Sequence, residues 1–311
     1  NAPNPAIEGK DLFVATGTGS GKTECFMWPM MAKLTSEARN TPETWKQRGV
    51  RVVVMYPMNA LVSDQISRLR RLMGDEQRKF VNIFRETAGG NARRPQFGMY
   101  TGRTPYPGSA SDKHQDRALA DTLERMTQPE SDEDKDYYAT LVKEGKIPAK
   151  NNIADFIDEL REGHHIPNSE DAELITRFEM QNCCPDILIT NYSMLEYMLF
   201  RPRESSIWDS TKKWLQEDPN NKLLFIIDEA HMYRGSAGGE VSLLIRRLFH
   251  RLDIGRDRVQ FILTTASMPD ATEDDKEAVR NFAKALTAAD AYSFTYLTGD
   301  REIIDMRNGI A

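Results

Sequence analysis

Cysteine is scarce in this 311-residue chain. Cys25, Cys183 and Cys184 show neither metal-ligand spacing nor the pattern of a disulfide framework. A reducing, cytoplasmic setting fits that usage. Long apolar runs are lacking, so neither a membrane-spanning segment nor a signal segment is expected in these residues. Internal repeats are lacking too, which excludes a solenoid. Positive charge is not in excess: the formal net charge is −6. That argues against a bulk electrostatic grip on nucleic acid, although a local basic face is compatible with an acidic total. His164-His165 follows Gly163 in a turn and has no companions for a metal site, so a solvated pair is expected. What remains, 40% hydrophobic and 28% charged, is the composition of a globular chain of one large or two small domains.

Thr16-Gly17-Thr18-Gly19-Ser20-Gly21-Lys22-Thr23, with Glu24 behind it, is the stretch around which the rest is arranged. The strand-like run Asp11–Ala15 leads in and a helical run leads out, with Phe26, Met30 and Leu34 at helical spacing. Glycines let the backbone curl so that consecutive N–H groups face one anion, and the following helix adds its positive end. This is the layout of a phosphate-binding loop. Thr18, Gly19, Ser20, Gly21, Lys22, Thr23 and Glu24 are its candidate nucleotide contacts. Lys22 would reach the β/γ-phosphates of ATP, and the Thr23 hydroxyl would hold Mg²⁺. Pro29 is expected to kink the helix.

Strand and helix alternate from there on. Apolar runs at 51–56, 97–101, 186–190, 223–227 and 260–264 read as strands covered on both faces. Val62, Ile66, Leu69 and Met73 form one helical stripe; Val241, Leu244, Ile245, Leu248, Phe249 and Leu252 form another. A helix over 273–288 and a strand at 292–297 finish the series. The fold class is therefore α/β, with a parallel sheet flanked by helices. Between about residues 104 and 182 the pattern changes. An acidic loop is expected at Pro129–Asp136, two amphipathic helices around Leu119/Leu123/Met126 and Ile153/Phe156/Ile157/Leu160, and a third from Glu170 to Gln181. This reads as a helical insertion, whose acidic loop suits a protein partner or plain solvation better than DNA.

The apolar strand Leu223–Ile227 ends in Asp228-Glu229-Ala230-His231. Asp228 is placed to hold Mg²⁺ and Glu229 to polarise a water that attacks the γ-phosphate, which makes Lys22, Asp228 and Glu229 the catalytic candidates. Most of the chain separates Lys22 from Asp228, more than a compact nucleotide lobe needs, and the insertion supplies the excess.

These motifs together resemble the first RecA-like motor lobe of superfamily 2 helicases of the DEAH/DExH kind. The likeness covers most of residues 9–270, insertion apart. Thr16–Thr23 stands for motif I and Asp228–His231 for motif II. Thr265-Ala266-Ser267 stands where the family has Ser-Ala-Thr, motif III. Tyr56-Pro57-Met58-Asn59-Ala60-Leu61, with Gln65, is similar to motif Ia, with Asn59 in place of an arginine. Thr101-Gly102-Arg103 and Thr190-Asn191-Tyr192 match two further loops. The phrasing of residues 185–199 and 228–235 is similar to large bacterial helicases, the MrfA-like repair helicases and the long helicases of phage-defence systems.

The resemblance implies ATP-driven movement on single-stranded or duplex DNA, or on RNA. It implies nucleic-acid contacts at Pro57, Asn59, Gln65, Thr101, Gly102, Arg103, Thr190, Asn191 and Tyr192, made through N–H groups and small polar side chains. His231, Thr265 and Ser267 would couple the ATP site to the bound strand. Such motors hydrolyse ATP between two lobes, and no second lobe follows residue 270. The whole of residues 1–311 is thus expected to be one lobe of a longer polypeptide. Two other functions fit the same residues: a double-stranded DNA translocase that does not separate strands, and a nucleotide-sensing nucleic-acid-binding scaffold.

Overall fold

Val52-Val53-Val54 and Leu223-Leu224-Phe225-Ile226-Ile227 have no polar side to offer water, so both faces of the strands they form must be covered. The computed structural model describes residues 9–16, 21–74, 77–105, 113–127, 132–266, 272–289 and 293–298. In it these runs lie in an eight-stranded sheet. The strands are β1 (Asp11–Ala15), β2 (Val52–Tyr56), β3 (Phe97–Tyr100), β4 (Glu173–Leu174), β5 (Ile187–Asn191), β6 (Leu223–Ile227), β7 (Val259–Thr265) and β8 (Phe294–Thr298). Their order across the sheet is β4-β3-β5-β2-β6-β7-β1-β8, and every pairing is parallel.

Successive side chains of a strand point to opposite faces, and the core divides accordingly. Val53 and Met55 of β2, with Leu223, Phe225 and Ile227 of β6, belong to one buried cluster. It is completed by the helices Tyr192–Phe200, Ser205–Glu217, Ser236–Leu252 and Glu273–Thr287. Val52, Val54, Tyr56, Leu224 and Ile226 belong to the other. The helices Lys22–Asn40, Asn59–Met73 and Lys79–Ala88 cover that face. Each fully buried side chain of Phe225's size contributes about 1.5–3 kcal/mol, so the two-sided sheet is the main source of stability. The helix Lys22–Asn40 runs unbroken past Pro29, whose ring is buried.

The N-terminal edge of the sheet is held by charge. Asp186, fully buried before β5, accepts two hydrogen bonds from Arg93 at 2.7 Å and one from the Gln96 backbone at 3.0 Å. Burial alone would raise its pKa, but Arg93, Arg51 and Arg48 bring it below the usual carboxylate value. Arg51, also fully buried, pairs with Glu37 at 2.9 Å and lies between the rings of Trp45 and Trp214, at 5.0 and 4.7 Å.

Between β3 and β5 the structure differs from the pattern reading. No single helix runs from Glu170 to Gln181: β4 takes Glu173–Leu174, and a short helix starts at Arg177. Thr176 and Glu179 form a capping box there, and β4 pairs with Phe97 and Gly98 of β3. Part of the expected acidic loop is helical, since a helix covers Asp132–Lys143. The helices Lys113–Thr127 and Ile153–Glu162 pack through their own cluster of Ala120, Leu123, Phe156, Ile157 and Leu160. His165 is not solvated: it is buried, with Nε2 3.2 Å from Asp116 and its ring against Phe178. His164 is exposed beside Glu162. No described helix is long and apolar enough to cross a membrane.

Candidate nucleotide site and strand-edge loops

All the short motifs come out at the C-terminal ends of the parallel strands, where open α/β sheets bind their ligands. Thr16 follows β1, Asp228 follows β6 and Thr265 ends β7, and these three strands are neighbours in the order β6-β7-β1. The Thr16 backbone N–H donates to the Thr265 carbonyl at 3.2 Å. Gly21 adopts φ 78°, the left-handed region that suits glycine, and starts the helix whose first two residues are Lys22 and Thr23. Thr18, Gly19 and Ser20 lie outside the described residues, as does Ser267. Glu24 is exposed and pairs with Arg68 at 3.5 Å.

Lys22 Nζ donates to Glu229 Oε1 at 3.1 Å, joining two residues 207 positions apart. Glu229 has φ 49°, a left-handed conformation that costs a non-glycine residue about 1–2 kcal/mol. That turn ends β6, starts the short 3₁₀ helix Ala230–Tyr233, and directs the carboxylate at Lys22. Asp228, beside it, is buried. It accepts from the Glu229 backbone at 2.9 Å and from the Thr264 hydroxyl. Burial raises the Asp228 pKa, with the Thr264 and Glu229 hydrogen bonds opposing. His231 Nδ1 is 3.0 Å from Thr265 Oγ1 and 3.3 Å from Glu229 Oε2, so His231 touches both the carboxylate and the end of β7.

The donor set can be tested against a magnesium nucleotide. Among the described residues no cluster of three His, Cys, Asp or Glu side chains exists to cage a metal alone. Magnesium is commonly held by one or two carboxylates with waters and substrate phosphates, which matches Asp228 and the Thr23 hydroxyl. Among the described residues, the buried Thr16 Oγ1 has no hydrogen-bond partner, and Glu229 Oε2 has the His231 ring nitrogen at 3.3 Å but no well-aligned hydrogen bond. Buried oxygens short of hydrogen bonds are costly unless something else satisfies them, and these two lie after β1 and beside Lys22. The residues present fit the group.

The other half of the edge carries the loops expected to touch nucleic acid. β3, β5 and β2 are adjacent, so Thr101, Thr190-Asn191 and Pro57 emerge side by side. Asn191 Nδ2 donates to Asn59 Oδ1 at 2.6 Å, and Asn191 Oδ1 caps the helix Tyr192–Phe200 by accepting from Met194 N at 2.8 Å. The Thr190 hydroxyl donates to the Tyr100 carbonyl at 2.7 Å. Gly102 and Arg103 are exposed. Two residues have partners of their own elsewhere: Gln65 donates to the Thr23 hydroxyl at 3.4 Å, and the Tyr192 hydroxyl hydrogen-bonds Glu240. Gln65 thus sits between the two halves of the edge. Thr264 and Tyr233 were missed by the motif reading. Tyr233 is buried, its hydroxyl has no hydrogen bond among the described residues, and burial and then the charge of Asp228 push its pKa well up. Its place two residues after His231 was the signal available.

A family model described as DEAD/DEAH box helicase matches residues 1–105. Residues 1–105 are thus of the DEAD/DEAH box helicase kind. Over 324 aligned residues the chain is 41% identical to Druantia protein DruE of Escherichia coli strain UMEA 4076-1, covering 95% of the chain and 17% of DruE. Among solved structures it is similar to the DUF1998 helicase MrfA bound to DNA, at 17% identity and a TM-score of 0.47, over 95% of this chain and 26% of that chain. It is also similar to the yeast DEAD-box splicing factor Prp28, at 14% identity and a TM-score of 0.45, over 94% of this chain and 42% of that chain. The chain thus spans about a sixth of the length of the curated relative it matches.

Proposed function

We propose that this helicase lobe binds ATP with Mg²⁺ and grips a DNA strand, as one of two lobes in a larger bacterial helicase that serves DNA repair or antiviral defence. The observation that carries the reading is the Lys22–Glu229 contact, with Asp228 next to it on the end of β6. Lys22 is free to exchange the Glu229 carboxylate for the β/γ-phosphates, which releases Glu229 to orient and deprotonate a water. Asp228 and Thr23 are the residues that would hold magnesium. Bound magnesium would neutralise charge building on the phosphate oxygens. His231, between Glu229 and Thr265, ties that carboxylate to the end of β7. The loops on β2, β3 and β5 grip phosphates without reading sequence, which needs no basic total charge. A second lobe supplies the arginines that steady the transition state.

The test is ATPase of the full-length parent titrated with single-stranded DNA, duplex DNA and RNA. DNA is expected to stimulate turnover, and the isolated 311-residue chain to bind ATP weakly and turn over slowly. Rates of the isolated chain near those of intact helicases, or a parent indifferent to all three polymers, would overturn the reading. Strand-separation assays beside translocation assays distinguish a helicase from a duplex translocase.

A further inference from the structure

The segment between β3 and β5 reaches back over the turn that follows β3. Arg177 Nη2 donates to the Thr101 carbonyl at 2.7 Å. The Arg177 backbone N–H donates to the Pro105 carbonyl at 3.4 Å. Its guanidinium lies 5.0 Å from the centroid of the Tyr100 ring, and only 4% of the residue is exposed. One buried residue therefore holds both ends of the turn 101–105. The turn's own bonds are short-range: Thr101 N donates to Thr104 Oγ1 at 2.8 Å, and Thr104 Oγ1 donates to the Met99 carbonyl at 2.6 Å. Gly102 and Arg103 are left at its exposed tip.

The helix that carries Arg177 packs Met180 against β3: a Cβ on Gly98 would fall 2.4 Å from Met180 Sδ, so a larger residue there would require that side chain to move. Gln181, from the same helix, donates to the Tyr100 hydroxyl at 3.1 Å. The helix is anchored in turn by Glu179, which pairs with the fully buried Lys150. Lys150 also pairs with Asp171 at 2.9 Å and sits over the Phe156 ring. Glu173 of β4 pairs with Arg70 at 2.7 Å, on the helix that begins at Asn59. Ion pairs thus tie β4 to the helix Asn59–Met73 and the helix Arg177–Asn182 to Lys150, and Arg177 carries that anchorage to Thr101 through a hydrogen bond.

We infer that Arg177 is a positioning residue for nucleic-acid contact at Thr101-Gly102-Arg103, and that the segment between β3 and β5 acts as the buttress of that turn. The inference rests on the DNA-gripping reading above. A glycine-containing turn that had to be ordered on binding would lose affinity to that ordering, and a clamp from behind removes the loss. Arg177 does this without touching the strand.

The experiment measures ATPase of the full-length parent against a single-stranded oligothymidine, for wild type, Arg103→Glu, Arg177→Ala and Arg177→Lys. Arg177→Ala is expected to raise the oligonucleotide concentration for half-maximal stimulation about tenfold, the order lost with one charge-assisted hydrogen bond. Turnover without DNA should stay unchanged, and Arg177→Lys, which keeps one donor, should recover part of the loss. Hydrogen exchange should quicken at the amides of residues 101–104 and not at the helix Lys22–Asn40. Weakening by Arg103→Glu with none by Arg177→Ala overturns the positioning role. No effect of Arg103→Glu means instead that the turn lies off the DNA path, and the underlying reading of this loop fails. Should Arg177→Ala not fold, Arg177→Lys and Arg177→Gln carry the same comparison, and equal wild-type affinity for both overturns it.

Discussion

Lys22 and Glu229 meet at 3.1 Å, although 207 positions separate them in the chain. The contact satisfies a lysine that is mostly buried; under the proposed function a phosphate would compete for the ammonium and release the carboxylate. In the full-length parent, Lys22→Ala and Glu229→Gln are each expected to cut ATP turnover by about 10²–10³, the range for losing one positioned charge or donor at a transition state. Glu229→Gln should retain ATP binding by fluorescent-nucleotide titration, whereas Lys22→Ala should lose much of it. Normal turnover in both variants would mean that the site is misassigned.

Asp228 makes a prediction about pH. Its pKa is raised by burial, so the folded lobe binds a proton more readily than the unfolded chain. A raised group contributes stability that is full below its unfolded value, near 3.8, and is lost as pH rises through its folded value. At neutral pH the ionised carboxylate therefore destabilises the nucleotide-free lobe. Asp228→Asn keeps an acceptor for Thr264 and the Glu229 N–H. It should melt higher than wild type at pH 7, lose that advantage as pH falls toward 4, and show no magnesium-dependent ATPase. Thermal melts across that window check the sign; a variant that melts lower at pH 7 refutes it.

Arg51 should be among the costliest residues to remove. It pairs with Glu37 and Asp186 and is stacked between two tryptophans, with no access to water. Breaking a buried pair from one side leaves an uncompensated charge and costs about 3–5 kcal/mol. Arg51→Met is expected to lower the unfolding free energy from urea melts by that order. Because Trp45 and Trp214 flank the guanidinium, their fluorescence should change even before unfolding.

Asn191 tests the coupling between two strand-edge loops. It caps one helix and bonds Asn59 at the head of another. Asn191→Ala should cost about 1 kcal/mol for the lost cap and weaken DNA stimulation of the parent. Asn191→Asp keeps the cap, and with the Asn59 amide turned around it keeps the bridge, so it should behave much more like wild type. Equal loss in both would argue that the side chain acts directly on the strand.

Some of this architecture was legible because the signal is local. A strand buried on both faces must be apolar throughout, so β2, β5, β6 and β7 stood out. Glycines, a lysine and a threonine between a strand and a helix announce a phosphate loop at short range. The fate of Glu170–Gln181 was not legible, because two residues of edge strand carry no periodicity. They are held by Arg70 and by β3, which lie far away in the chain. His165 looked solvated for the same reason: Asp116, its neighbour in space, is 49 positions earlier.

The amino-acid order alone determined the α/β class, and it marked out the residues of the Thr16–Thr23 and Asp228–His231 motifs, because each motif is written in consecutive residues. Only the tertiary structure decided that Lys22 faces Glu229, that Thr264 hydrogen-bonds Asp228, that Gln65 turns to Thr23, and that Arg177 clamps Thr101. Those pairings depend on strand order and on how closely helices settle on the sheet. Both are set by packing between residues that no short stretch of sequence contains.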